Sequence, residues 1–205
     1  MTTDKGPTVW AATYDLLRAL KLTTIFGNPG STEQPFLKNF PDDFRYILGL
    51  QEASVVAMAD GFSQATRHPT LVNLHTSAGT GNGMGNIMTA FLNKTPLIIT
   101  AGQQTREMTL CEPMLTNRDE TTLPRPYVKW AYQPARAQDV PGAIMRAYAL
   151  ALQPPSGPVY ISIPLDDWDQ PALGARPSSA RSAPVSRRTA NACANSQSGF
   201  PLRNA

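Results

Sequence analysis

Apolar residues recur at two different spacings along the first 170 positions of the chain. A helical spacing, carried by Val9, Leu16 and Leu20, predicts an amphipathic helix that ends near Lys21. Further helices are predicted over residues 31–37, 52–66 and 141–152, and around 87–92. Between them lie short runs rich in β-branched and apolar residues, which predict strands at 23–26, 46–50, 70–75, 96–100 and 159–163.

This alternation of strands and helices predicts an α/β domain over residues 1–173. Its expected core is a parallel sheet of about six strands with helices on both faces. The glycine-rich stretch 76–83 is predicted to be a turn, and residues 110–126 are predicted to be a long surface or interface loop. No internal repeat of fixed period is visible.

The composition changes after Pro171 to Ser, Ala, Arg, Pro and Asn, with few large apolar groups. Too little apolar surface remains there to offset the entropy of ordering, so we predict a disordered tail over residues 174–205. A natural linker, an interaction tail and a frameshifted translation all fit such a tail. We favour the frameshift, in which case the chain is truncated.

The charge of the chain is divided unevenly and changes the picture given by its pI of about 9.0. Residues 1–174 carry 13 Lys and Arg against 15 Asp and Glu, whereas residues 175–205 carry 5 Arg and no acid. The basicity belongs to the tail, so no nucleic-acid partner is expected.

The 2 cysteines show no metal-ligand or disulfide spacing, and the chain shows neither a leader nor a long apolar run. We expect a cytoplasmic protein with no membrane partner.

Three segments follow predicted strands and are the candidates for chemistry: residues 27–31, Glu52, and residues 75–83. The carboxyl ends of parallel strands open into a crevice at one edge of a sheet, where helix N-termini direct N–H groups. We therefore expect the three segments to converge on one rim.

Each candidate residue also has a purely structural interpretation. Glu52 is either a first-turn carboxylate favoured by the helix dipole or a carboxyl group enclosed at the bottom of a cleft. His75 is either a hydrogen-bonded strand-end residue or a proton-transfer group. Ser31 is either a helix cap or a substrate-binding hydroxyl; no G-x-S-x-G elbow supports a hydrolase. The glycines from Gly79 to Gly85 do not fit the G-x-G-x-x-G dinucleotide-binding fingerprint cleanly. Close packing of a helix against the sheet is an adequate explanation for them.

Several short runs along the chain form a recognisable set of motifs: IFGNPGSTE at 25–33, LQEA at 50–53, ADGF at 59–62, NLH at 73–75, GTGN at 79–82, TAGQQTR at 100–106, LPRP at 123–126 and GPVY at 157–160. Together these motifs resemble those of the thiamine-diphosphate-dependent enzymes, benzoylformate decarboxylases in particular. The resemblance covers about residues 8–169.

The resemblance implies a pyrimidine-binding domain and assigns a role to each candidate. Glu52 would hold a proton on the aminopyrimidine ring of the cofactor, and Ser31 would bind the substrate carboxylate. His75 would transfer protons near the carbonyl-derived oxygen. Asn28, Pro29 and Gly30 would shape the turn beside the cofactor.

The resemblance also implies a 2-keto acid substrate, a Mg²⁺ ion that holds the diphosphate, and a second subunit, in a homodimer or tetramer, that completes the active site. The metal-binding G-D-G motif is absent from this chain, so no metal ligand is assigned, and the 205-residue chain is expected to be inactive. Two alternatives stay open: a non-catalytic dimerising fragment, and a carboligase of the acetolactate-synthase kind.

Overall fold

The computed structural model describes residues 6–119 and 121–172, and the predicted tail lies outside them. The α-helices are α1 (Val9–Ala19), α2 (Gln34–Leu37), α3 (Glu52–Thr66), α4 (Thr76–Asn93) and α5 (Val140–Leu152). The strands are β1 (Thr24–Gly27), β2 (Arg45–Leu48), β3 (Thr70–Leu74), β4 (Leu97–Gln103), β5 (Ala131–Tyr132) and β6 (Val159–Pro164). Short 3₁₀ helices span Ser31–Glu33, Met108–Cys111 and Ala137–Asp139.

The six strands form one sheet in the order β2-β1-β3-β4-β6-β5, and every pair is parallel. The predicted parallel α/β fold is therefore confirmed. The sixth strand is β5, which no periodicity signal predicted because it has only 2 residues. β1 lies between β2 and β3, so the chain reverses its direction across the sheet at β1, where open α/β sheets bind their ligands.

Each face of the sheet carries its own hydrophobic core. One core joins α1, α2 and α5 to the sheet and contains residues such as Tyr14, Leu17, Phe36 and Ile144. The other core lies under α3 and α4 and contains Val55, Val56 and Ile87. The strands β3, β4 and β6 are buried along their full length between these two layers, as expected for the central strands of a parallel sheet.

The turn predicted at residues 76–83 is wrong: this stretch is the first half of α4. Gly79 and Gly83 lie on the packed side of that helix, where added Cβ atoms would lie 3.1 Å from Glu52 Oε1 and 3.2 Å from Val56 Cγ2. Gly81 and Gly85 lie on the exposed side. Because the buried glycines are four residues apart, α4 approaches α3 closely without leaving the helical conformation.

Gly61 offers a test of how α3 is packed. An added Cβ at this exposed, mid-helix position meets no atom within 4 Å. We expect Gly61→Ala to raise the free energy of unfolding of the chain by about 0.5–1 kcal/mol, because alanine loses less backbone entropy in a helix. Gly83→Ala is the matched control; its tight contact removes the gain. A thermal melt in which Gly61→Ala unfolds at a lower temperature would contradict the packing described here.

Candidate functional site

The three predicted segments follow adjacent strands at the carboxyl-terminal edge of the sheet. Residues 27–31 begin at the last residue of β1, Glu52 lies four residues after β2, and His75 directly follows β3. The strands pair in register, with Gly27 opposite both Leu48 and Asn73. The expected convergence on one rim is therefore what the structure shows.

Glu52 is the first residue of α3 and is only 7% exposed. Its Oε1 accepts a hydrogen bond from Asn28 Nδ2 at 3.1 Å, and its Oε2 accepts one from Asn82 Nδ2, also at 3.1 Å. The helix N-terminus and two amide donors thus replace the water that burial removes from the carboxyl group. A carboxylate has about four lone-pair sites, so it retains the capacity to hydrogen-bond a ring nitrogen.

His75 precedes α4, and its Nδ1 lies 2.8 Å from Oε2 of Glu33 and 3.2 Å from Oγ1 of Thr32. The imidazole is 19% exposed, whereas the Glu33 side chain is 1% exposed. The histidine is therefore held at Nδ1 by a buried carboxyl group, while part of its ring is exposed to solvent. Glu33 is not among the residues predicted from the sequence: its contact with His75 joins residues 42 positions apart, for which the sequence carries no signal.

Ser31 is exposed at the start of the 3₁₀ helix Ser31–Glu33. It lines a shallow, open hollow with Pro29, Gly30 and Lys38 among others. Its two neighbours both lie against His75: Thr32 through its hydroxyl, and Gly30 so closely that an added Cβ would lie 2.3 Å from the ring. The structure therefore brings the Ser31 segment and His75 together on the accessible side of the rim.

The residue after His75 has an unusual backbone. Thr76 is fully buried and has a φ of 48°, a conformation that is an outlier for a β-branched residue. Its Oγ1 has no hydrogen-bond partner among the described residues. Such strain costs on the order of 1–3 kcal/mol and is concentrated at functional sites. The backbone strain at Thr76 therefore makes the β3–α4 junction a candidate functional site, and this argument does not depend on any sequence motif.

The chain is similar to known proteins over the segment that carries this rim. Residues 7–123 match the family described as "Thiamine pyrophosphate enzyme, N-terminal TPP binding domain". The chain belongs to this family. The match covers the rim residues of β1, β2 and β3 and ends within the loop that follows β4.

Among individual members of the thiamine pyrophosphate enzyme family, the benzoylformate decarboxylase of Pseudomonas aeruginosa is 59% identical over 165 residues, which cover 80% of this chain and 31% of that protein. A crystal structure of benzoylformate decarboxylase from Polynucleobacter necessarius superposes with a TM-score of 0.82 at 62% identity, covering 86% of this chain and 33% of that one. The acetolactate synthase large subunit of Lactococcus lactis is 28% identical, covering 73% of this chain and 26% of that protein. The chain thus spans a third or less of the length of these relatives.

Within the described residues, no helix is long and apolar enough to cross a membrane. Nor do those residues contain a group of three or more His, Cys, Asp or Glu side chains placed to hold a metal ion.

Proposed function

We propose that this chain supplies the pyrimidine-binding side of a thiamine-diphosphate-dependent decarboxylase that converts benzoylformate, or a closely similar aromatic 2-keto acid, to an aldehyde and carbon dioxide. The observation that carries the proposal is the buried Glu52 carboxyl group, held by two amides on the rim that also presents His75 and Ser31. The 59% identity to a benzoylformate decarboxylase supports this choice of reaction.

The rim fits an aminopyrimidine ring. Glu52 keeps unused acceptor capacity after its two amide contacts, and the absent Cβ of Gly79 lets its carboxyl group lie directly against α4. When bound, thiamine diphosphate supplies the electron sink that stabilises the charge left by departing carbon dioxide. The Mg²⁺ expected with the diphosphate would be held by residues outside this domain.

The residues of this chain have three distinct tasks under the proposal. Glu52, which is itself only 7% exposed, holds a proton at a nitrogen of the pyrimidine ring. His75 moves protons to and from the oxygen derived from the substrate carbonyl. Ser31, which is exposed between the two residues that contact His75, donates a hydrogen bond to the substrate carboxylate and fixes the orientation of the keto acid.

Two packed helices give a reason to expect a second subunit. α3 exposes Met58 and Phe62, and α4 exposes Met88 and Leu92, the last at 65%. Leu50, two residues before Glu52, is 90% exposed. Large exposed apolar side chains near a site are typical of surfaces that another protein covers. We propose that a subunit carrying the diphosphate-binding residues covers them.

A carboligase of the acetolactate-synthase kind is the second candidate, and the 28% identity to such a synthase supports it. It requires the same Glu52 but makes no use of a hydroxyl and an imidazole placed together beside the cofactor. The presence of both Ser31 and His75 on one rim favours the decarboxylase.

The isolated chain is expected to show no turnover. Purified and mixed with thiamine diphosphate, Mg²⁺ and benzoylformate, it should release no benzaldehyde, because it supplies only one wall of the site. A coupled assay with an aldehyde-reducing enzyme measures the product. Benzaldehyde release above that of a cofactor-free sample would show that this chain acts alone.

A hybrid enzyme tests the proposed function itself. In it, residues 6–172 of this chain replace the matching part of the P. aeruginosa benzoylformate decarboxylase. We expect the hybrid to release benzaldehyde from benzoylformate and to form no acetolactate from pyruvate. A folded, cofactor-bound hybrid that forms only acetolactate would favour the carboligase, and one that forms neither product would contradict the proposal.

A further inference from the structure

A buried carboxyl group lies beneath the candidate histidine and belongs to none of the roles assigned above. Glu33 is 1% exposed. Its Oε2 accepts a hydrogen bond from Gly30 N at 2.7 Å and lies 2.8 Å from His75 Nδ1. Its Oε1 accepts from Gly102 N at 2.8 Å and from Thr32 Oγ1 at 2.7 Å. One carboxyl group therefore joins the turn after β1, the end of β3 and the last residues of β4.

These contacts determine where the protons lie. Two backbone N–H groups and one hydroxyl point at the carboxyl oxygens, which is the environment of an ionised carboxylate. The single hydroxyl proton of Thr32 is directed to Glu33 Oε1, so it is not available to His75 Nδ1 at 3.2 Å. The close contact between Nδ1 and Oε2 then requires that the imidazole donate the proton.

We propose that Glu33 is a positioning residue that holds neutral His75 as the Nδ1–H tautomer and leaves the lone pair of Nε2 available to the rim. The inference rests on the proposed function and deepens it, because an imidazole that exchanges protons with a substrate needs one fixed ring nitrogen as its acceptor. Glu33 itself does not touch the substrate; it acts through His75.

Two glycines make room for this pair. A Cβ added at Gly30 would lie 2.3 Å from His75 Nδ1, and one added at Gly102 would lie 2.1 Å from Glu33 Oε1. Both distances are far below van der Waals contact, and both glycines donate their N–H to the Glu33 carboxylate. The backbone on either side of the pair is thus shaped to accept the carboxyl group and the ring.

Nitrogen NMR of the histidine rings tests the tautomer directly, since the chain has only 2 histidines. In the wild-type chain at a pH where His75 is neutral, we expect a pyrrole-type ¹⁵N shift at Nδ1 and a pyridine-type shift at Nε2. His68, whose Nδ1 lies 3.0 Å from the Pro69 carbonyl oxygen, provides an internal reference. A pyridine-type Nδ1 in His75 would overturn the inference.

Two substitutions separate Glu33 from its neighbour. Glu33→Gln places an amide NH₂ among groups that are themselves donors, so we expect His75 to lose the single tautomer and show averaged ring shifts. Thr32→Val removes the other polar neighbour of Nδ1 at constant shape, and we expect it to retain the wild-type pattern. Loss of the tautomer in Thr32→Val, or its full retention in folded Glu33→Gln, would overturn the role of Glu33.

The wild-type and Thr32→Val spectra decide the question even if Glu33→Gln does not fold. The measurement needs neither cofactor nor turnover, so its outcome is separate from that of the proposed function. An inactive hybrid enzyme with the expected tautomer would remove the reaction but keep the Glu33–His75 arrangement.

Discussion

Replacing Glu52 by glutamine is expected to lower the decarboxylation rate of the hybrid enzyme by about 10²–10⁴-fold, the usual contribution of a positioned proton-transfer group. Glutamine has the same shape but cannot hold a proton on the pyrimidine ring. Its single carbonyl oxygen also satisfies only one of the two amide groups that now contact Glu52. The measurement is kcat for benzoylformate at saturating thiamine diphosphate.

A matched variant separates this effect from a general loss of negative charge. Glu107→Gln alters an exposed carboxylate in the loop after β4, and we expect it to leave kcat within about twofold, because exposed surface changes perturb little. Because Glu52→Gln leaves one amide contact unsatisfied, some loss of stability is expected, and a thermal melt shows whether the variant is still folded at the assay temperature. If the Glu52 variant retains the parent rate while folded, the role assigned to this carboxyl group is wrong.

Arg106→Ala is expected to destabilise the chain by about 1–3 kcal/mol, the usual cost of leaving a buried polar group without its partner. The Arg106 side chain is 34% exposed, so the loss stays below that of an ion pair buried on both sides. Arg106 Nε and Nη2 bind the two carboxylate oxygens of Asp167, each at 2.8 Å, and the Asp167 side chain is 1% exposed. The same guanidinium donates to the carbonyl oxygens of Pro134 and Ala135 at 2.8 and 3.0 Å. Urea unfolding followed by circular dichroism measures the loss.

The exposed pair of Arg136 and Asp139 is the matched control. Its arginine side chain is 71% exposed, so Arg136→Ala should cost less than about 1 kcal/mol. Combining Arg106→Ala with Asp167→Asn should recover part of the lost stability, because no charge is then left buried and unpaired. Equal effects of the two arginine substitutions would contradict the description of Asp167 as a buried partner.

The pH dependence of Arg106→Ala has a definite sign. Burial raises the pKa of Asp167 and Arg106 lowers it, so removing the arginine raises this pKa further above its unfolded value. A carboxyl group with a raised folded-state pKa contributes stability below its unfolded pKa and loses it as pH rises through the folded pKa. Arg106→Ala should therefore become less stable, relative to the parent, as pH rises from acid.

Local patterns predicted the elements with strong periodicity. Five strands and the parallel α/β class followed from alternating apolar runs and turns, and β5 was missed because two residues carry no period. The glycines of α4 were read as a turn because glycine has a low intrinsic helix propensity. Packing overrode that preference: Gly79 and Gly83 are buried where α4 meets α3, and bulkier residues would separate the two helices.

The candidate site was predicted only as far as strand order dictates it. A parallel sheet places residues that follow adjacent strands on one rim, so Glu52, His75 and Ser31 could be grouped from the sequence. The contacts that give them chemical character are long-range. Asn82 reaches Glu52 across 30 positions, and Glu33 reaches Gly102 across 69. No local pattern encodes such pairs, and they became visible only once the chain was folded.

A crystal structure of the hybrid enzyme with bound thiamine diphosphate measures the central claim directly. We predict that a carboxyl oxygen of Glu52 lies about 2.5–3.0 Å from a nitrogen of the pyrimidine ring, within hydrogen-bond reach. A pyrimidine ring bound away from this rim, with Glu52 held only by Asn28 and Asn82, would contradict it.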